Sequence, residues 1–428
     1  MFCLEGTKVT DFLSPYVDFL SPYLGGNPAG VLIAIIVATI LVGFVAGSTV
    51  FFIWLERKVS GRMQDRLGPT RVGGKFGWLQ TIADGMKLLV KEDIIPGDAD
   101  HMLFRLGPYI AFCGSFMAFL ALPFGNNLVA RELNIAIFFM LAVMSTEVFG
   151  IILIGYGSGS KWSLFGGMRE AAQMVSYEVP MALCVLVPVI VAGSMNLGAF
   201  ARVSDDMPWW RSPSLIWNWY VFHDPFTFAA FWTYFTCATA SCKRAPFDLA
   251  EAESELVAGF HTEYSGLRWS FFFMAEYGSM FAVSGIAVSL FLGGWHTGFL
   301  PELSGMLGVA GNVINVIVFI IKGWLLVFVM MWVRWTLPRL RIDQVMMTCL
   351  KYLLPISCAL LLGVALWQVA VPPIVSVLVK YVASALCLLL LLWMLVKMVT
   401  TPHNLPFRGV PEDLWTTPAP AGQPARQA

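Results

Sequence analysis

Nine apolar stretches, most of them long enough to cross a lipid bilayer, leave this chain few ways to fold. They fall near 29–54, 107–124, 134–156, 173–196, 226–241, 269–292, 313–335, 352–371 and 374–398. A helix needs about 20 apolar residues to cross a hydrocarbon layer of about 30 Å. Within that layer every backbone N–H and C=O must be bonded inside the protein, so only helices or closed barrels span it. Continuous apolar runs, rather than alternation every second residue, select helices. The expectation is an all-α, polytopic integral membrane protein with about nine transmembrane helices. The fifth run is the shortest and the ninth is led by Pro372 and Pro373, so the count carries a margin of one. Composition agrees, because 58% hydrophobic and 13% charged residues exceed what a soluble core of 428 residues would bury.

The charges that remain are unevenly placed. The first, third, fifth and seventh connections and the C-terminal tail hold most Lys and Arg, while the other side has only Lys8, Arg131, Arg202 and Arg211. Basic loops stay on the cytoplasmic side, so the N-terminus is expected outside. Glu5, Asp11 and Asp18 precede the first apolar run. No cleavable signal peptide is therefore expected, and the first span serves as its own signal. The chain divides into an outer N-terminal segment, 1–28, a membrane domain, 29–400, and a Pro- and Ala-rich cytoplasmic tail, 401–428, that reads as disordered. A tandem Asp-Phe-Leu-Ser-Pro-Tyr at 11–16 and 18–23, and a Trp-rich loop at 208–224, read as interfacial or partner contacts on the outer side.

Two cytoplasmic loops carry more than anchoring charge. In the first, 56–106, a Gly68-Pro69 turn is followed by Trp78, Ile82, Met86 and Leu89 at helical spacing, with Asp84, Lys87 and Lys91 opposite. That pattern predicts an amphipathic helix at the membrane interface, either a plain anchor or a functional element. In the other, 243–268, Asp248, Glu251, Glu253, Glu255 and Glu263 crowd into sixteen positions interleaved with Phe247, Leu249, Leu256, Val257 and Phe260. A solvated linker would lack those apolar partners. Mutual repulsion beside a low-dielectric layer raises several of these pKa values toward neutrality, and such a cluster can hold, share and pass protons. If 248–257 is helical, Asp248, Glu251 and Glu255 share a face and Glu253 points elsewhere.

Charges inside the apolar runs are expensive and mark function by default. Glu147, Glu178 beside Tyr177, Glu276 and Lys322 are such residues, whereas Lys380 lies near enough to a helix start to snorkel. With the loop carboxylates, Glu147 and Glu178 outline a wet path inward from the cytoplasmic face. The five histidines are far apart and none is centred in a span, which argues against a haem held between helices. The eight cysteines form no C-x-x-C pair, and no Walker or dinucleotide motif occurs. Any electron chemistry must come from partners.

Several long motifs then stand in order: Glu-Arg-Lys-Val-Ser-Gly-Arg-Met-Gln-Asp-Arg-Leu-Gly-Pro at 56–69, Ala-Asp-Gly-Met-Lys-Leu at 83–88 with Lys91-Glu92, and the segments 173–179, 247–265 and 334–344. Together they resemble the H-subunit family of bacterial NADH-quinone oxidoreductase, respiratory complex I, whose mitochondrial counterpart is NADH dehydrogenase subunit 1. The resemblance runs from the first span through the eighth and leaves out the N-terminal repeat, the Trp-rich loop and the tail. It implies a membrane-arm subunit at the junction with the peripheral arm, in the bacterial inner membrane, with no redox centre, catalytic residue or metal of its own and no activity in isolation. Quinone would be the substrate, with flavin and iron–sulfur clusters on partner subunits. Carried over by motif, Arg57, Arg62, Arg66, Asp84 and Arg334 would line or support the quinone chamber. Glu147, Glu178, Asp248, Glu251, Glu253, Glu255 and Glu263 would form the acidic path that couples quinone reduction to proton translocation. The chemistry fits, since quinone reduction takes up two protons and passes through anionic forms that guanidinium groups stabilise. Each arginine also reads as a positive-inside anchor. The related membrane subunit of an energy-converting hydrogenase would carry similar motifs without using quinone. A stand-alone proton or ion transporter would need neither the large basic loop nor redox partners.

Overall fold

The computed structural model describes residues 26–74, 76–126, 128–202, 212–249, 253–299 and 308–400. The tandem repeat, Glu251, Arg211 and the tail from 401 lie outside the described residues. The helices are α1 (Gly26–Met63), α2 (Gln80–Val90), α3 (His101–Met117), α4 (Ala136–Gly157), α5 (Lys161–Ala192), α6 (Pro225–Ser241), α7 (Gly266–Phe291), α8 (Val309–Thr336), α9 (Ile342–Ala370) and α10 (Pro373–Thr400). Among the described residues there is no β-strand, only two isolated bridges. The fold is all-α.

Among the described residues seven helices, α1, α3, α4, α5, α7, α8 and α9, are long and apolar enough to cross a membrane. The other two expected spans are also helical. α6 has 17 residues, and the apolar part of α10 that qualifies, Ile374–Leu390, is short of a full span. α5 begins at Lys161, twelve residues before the apolar run expected at 173. Lys161, Arg169 and Glu170 made its first turns read as loop. Yet Ser163, Gly166, Glu170, Gln173, Tyr177 and Met181 form one buried stripe at helical spacing, so packing rather than hydropathy extends this helix.

The helices surround α7, whose apolar window is 83% buried, whereas that of α1 is 11% buried and lies at the periphery. α7 packs on α1, α3, α6 and α8. α3 and α4 approach closely where Gly150 faces Ala111; a Cβ at Gly150 would stand 2.6 Å from the Ala111 backbone nitrogen. Lys322, read from the sequence as an intramembrane charge, has a structural place. Its Nζ donates to the carbonyls of Leu292 (2.7 Å) and Gly294 (3.0 Å) just past the end of α7, and lies 4.1 Å from the centre of the Trp219 ring. A cation at a helix C-terminus satisfies carbonyls that the helix leaves without donors.

α2 is the amphipathic helix of the first loop. Trp78 stacks on Trp54 of α1 at 3.9 Å, and Trp54 Nε1 donates to the Phe76 carbonyl. Its apolar side, with Ile82, Met86, Leu89 and Val90, faces away from the rest of the chain and is exposed. That face suits a helix lying in the interfacial layer.

Candidate functional site: two buried ion clusters at the basic end

The C-terminal ends of α1, α6 and α8 meet the N-terminal parts of α5, α7 and α9 at one end of the bundle. The described parts of the following loop, 242–249 and 253–265, are threaded among them. Gln173 of α5 donates to the carbonyls of Ala240 and Phe247, both at 2.8 Å, and so clamps the ends of the turn that carries Lys243 and Arg244. Ser163 holds the Phe260 carbonyl at 2.7 Å, and Leu340 N–H donates to the Pro246 carbonyl. Lys243 has φ +57°, a left-handed conformation that a non-glycine residue adopts only when its surroundings compensate. Its surroundings are two carboxylates.

Lys243 and Arg244, adjacent in sequence, point into separate clusters. Lys243 Nζ lies 2.8 Å from Glu147 of α4 and 2.5 Å from Glu170 of α5, both nearly or fully buried. Arg244 contacts both oxygens of Glu56 in α1 at 3.0 Å and Glu276 of α7 at 2.7 Å, and its guanidinium lies 4.5 Å from the Tyr277 ring centre. Tyr277 donates to Glu56 at 2.5 Å. Arg334 of α8 reaches Glu56 at 2.8 Å and Asp248 at 4.0 Å. Burial works against both cations, but the carboxylates outweigh it: Glu147 and Glu170 hold Lys243, and Glu276 and Glu56 hold Arg244, above their ordinary pKa ranges. Among the described residues each cluster contains one acid more than it has bases: Glu147 and Glu170 against Lys243, and Glu56, Glu276 and Asp248 against Arg244 and Arg334.

The structure distributes the candidate residues unevenly over this site. Glu147 and Asp248 are in the clusters. Glu178 is half-buried on α5, within electrostatic reach of Glu147. Of the expected helical face from 248 to 257, Glu251 lies outside the described residues, and among the described ones only Glu253–Leu256 is helical, so Asp248 and Glu255 do not share a helix. Glu255 turns instead to Arg169 (2.7 Å) and Arg339 (2.6 Å). A raised pKa was expected for several loop carboxylates, but hydrogen bonding from Arg169, with Arg339 adding to it, holds Glu255 below the usual range. Glu263 is half-buried and makes no salt bridge with a described residue. Arg57 pairs with Asp84 at 2.5 Å, and together with Arg66 it borders an open cleft of about 410 Å3 under the 66–69 turn. Arg62 is exposed at the end of α1 without an acidic partner among the described residues. Arg334 belongs to the Glu56 cluster rather than to that cleft.

Sequence reading missed Glu56, Glu170, Lys243 and Arg244 as site residues. Glu170 carried a usable signal, its place on the buried stripe of α5, and Glu56 opens the first quoted motif. Among the described residues, no three His, Cys, Asp or Glu side chains are arranged to hold a metal.

The Glu255 pair yields a pH prediction. A carboxyl whose pKa is lowered on folding contributes stability above its unfolded value, near 4.5, and loses it as pH falls through the folded value. Because Glu255 is half-exposed, the effect is small, about 1 kcal/mol or less. Glu255→Gln at neutral pH should speed hydrogen exchange in 253–256 a few-fold. High salt should do part of the same. Unchanged exchange would show that the arginines do not hold this turn.

The fold and these clusters define a class: an all-α polytopic membrane protein with two adjacent buried clusters of paired charges at its basic end. A family model described as NADH dehydrogenase matches residues 35–365. The NADH-quinone oxidoreductase H subunit of Anaeromyxobacter dehalogenans is 44% identical over 347 residues, 78% of this chain and 82% of that protein. That of Chlorobium luteolum is 43% identical over 351 residues, 81% and 91% of the two chains. That of Dehalococcoides mccartyi is 45% identical over 320 residues, 75% and 82%. The chain belongs to this NADH dehydrogenase family, that of the H-subunit proteins.

Proposed function

We propose that this chain is a membrane-arm subunit of a proton-translocating NADH:quinone oxidoreductase, at the junction with the peripheral arm, and that its buried carboxylates couple quinone reduction to proton movement. Electrons arrive from flavin and iron–sulfur clusters on partner subunits, quinone is the acceptor, and the isolated chain is inactive. The basic end faces the cytoplasm and the N-terminus lies outside. One observation carries the reading: the adjacent Lys243 and Arg244 join two buried clusters, each with an acid in excess among the described residues, and the second begins at Glu56, next to Arg57 of the open arginine-lined cleft.

In this reading Arg57, Arg62 and Arg66, with Asp84 orienting Arg57, meet the quinone head or the anions formed on its reduction. Arg334 and Glu56 sense the charge that develops there. Asp248, Glu276, Glu147, Glu170 and Glu178 continue the path inward, with Glu251, Glu253, Glu255 and Glu263 at its loop entrance. The named relatives favour this reading over an energy-converting hydrogenase. The exposed basic surface of α1 and the following turn favours it over a stand-alone transporter.

The cleft makes the first test. Arg66→Gln in the intact assembly should lower kcat/KM for quinone about tenfold, the loss of one charge-assisted bond. NADH oxidation by a soluble artificial acceptor, which bypasses the membrane, should stay unchanged. Equal loss of both activities would point to assembly, and loss of neither would remove Arg66 from the chamber.

A further inference from the structure

The two ion clusters share no salt bridge among the described residues, yet both border one cavity. Glu147 and Lys243 line it from the first cluster, Glu276 from the second, and Phe260, His261 and Ala275 complete the part of the wall that matters here. It offers about 10 Å3 to the centre of a water molecule, room for one. His261 lines this space beside Glu147, Lys243 and Glu276, and its Nδ1 is buried with no hydrogen-bond partner among the described residues. Its ring is edge-on to Phe260 at 4.9 Å. Burial, with the Lys243 ammonium adding to it, lowers the pKa of His261 to about 4, so the ring is neutral at physiological pH. A neutral imidazole nitrogen is either a donor or an acceptor, and a water can meet either need.

We propose that the cavity holds one ordered water, bonded to His261 Nδ1, that bridges Glu147 and Glu276, making His261 a positioning residue for proton exchange between the clusters. The step is balanced. A protonated Glu147 gives its proton to the water oxygen, the water gives one of its own to the Glu276 carboxylate, and the water is regenerated. Reversal runs the same bonds the other way. The use of this exchange in proton translocation rests on the function proposed above; the water site itself does not.

The experiment uses the intact assembly, purified and reconstituted in vesicles. His261→Phe and Ala275→Val fill the cavity from two sides, and His261→Asn keeps a polar atom there. Redox-induced infrared difference spectra, read in ordinary and 18O-labelled water, report an isolated internal water by its isotope-sensitive O–H stretch. The wild type and His261→Asn should show that band. His261→Phe and Ala275→Val should lose it and translocate protons roughly tenfold more slowly, the scale of a lost proton-transfer partner. Persistence of the band, or of full proton translocation, in both filled variants would overturn the proposal. A wild type that shows the band but moves no protons would overturn the proposed function and leave the water site standing.

Discussion

Arg244→Met is expected to remove the chain from its assembly. The guanidinium is 2% exposed and lies between Glu56 and Glu276, with Tyr277 closing the same cluster. Methionine matches much of its volume but not its charge, leaving Glu56, Glu276 and Asp248 with Arg334 as the remaining cation of the cluster among the described residues. Removing one partner of a buried ion pair destabilises by about 3–5 kcal/mol, which approaches the whole stability of many domains. Mass spectrometry of the purified assembly should find this chain reduced at least about tenfold. Arg244→Lys should recover only part of it, because an ammonium cannot reach Glu56 through two oxygens and Glu276 through a third at once. Normal assembly of Arg244→Met would show that the cluster carries no net charge burden to begin with.

Glu147→Gln is expected to act in the opposite way, leaving assembly intact and abolishing coupling. Lys243 keeps Glu170 at 2.5 Å, so the cluster falls from two acids and one base to one of each. The charge stays compensated, and the amide fills the space of the carboxyl. What disappears is the excess acid, the group able to take up and release a proton while Lys243 remains paired. Proton translocation by the reconstituted assembly should fall by about 100-fold, a typical loss for a proton-transfer group. Full coupling in this variant would remove Glu147 from the path.

The membrane architecture was legible in the sequence because hydropathy is a local property. Runs such as 134–156 and 313–335 need no partner to be recognised, and α4 and α8 fall on them. Glu147 was legible for the same reason, as a lone carboxylate in an apolar run. Its partner was not. Lys243 is 96 positions away in the chain, and in a basic loop it reads as a topological anchor. Arg244 is hidden in the same manner, 188 positions from Glu56. The loop carboxylates misled in the other direction. Their spacing suggested a shared helical face, but Asp248 sits in an extended turn held by Gln173 and Leu340, and Glu255 is drawn to arginines of α5 and of the segment after α8. Pairings of this range depend on how helices pack, which a one-dimensional pattern does not contain. Glu170 lies between these cases, unremarkable by hydropathy yet on the buried stripe of its helix.

The most direct test of the central claim is to affinity-purify this chain from its native membrane in mild detergent, identify its partners by mass spectrometry and assay the intact assembly. Flavin and iron–sulfur subunits should co-purify, with NADH-driven quinone reduction that quinone-site inhibitors block. A nickel–iron hydrogenase in their place, or a chain that purifies alone, would contradict the claim.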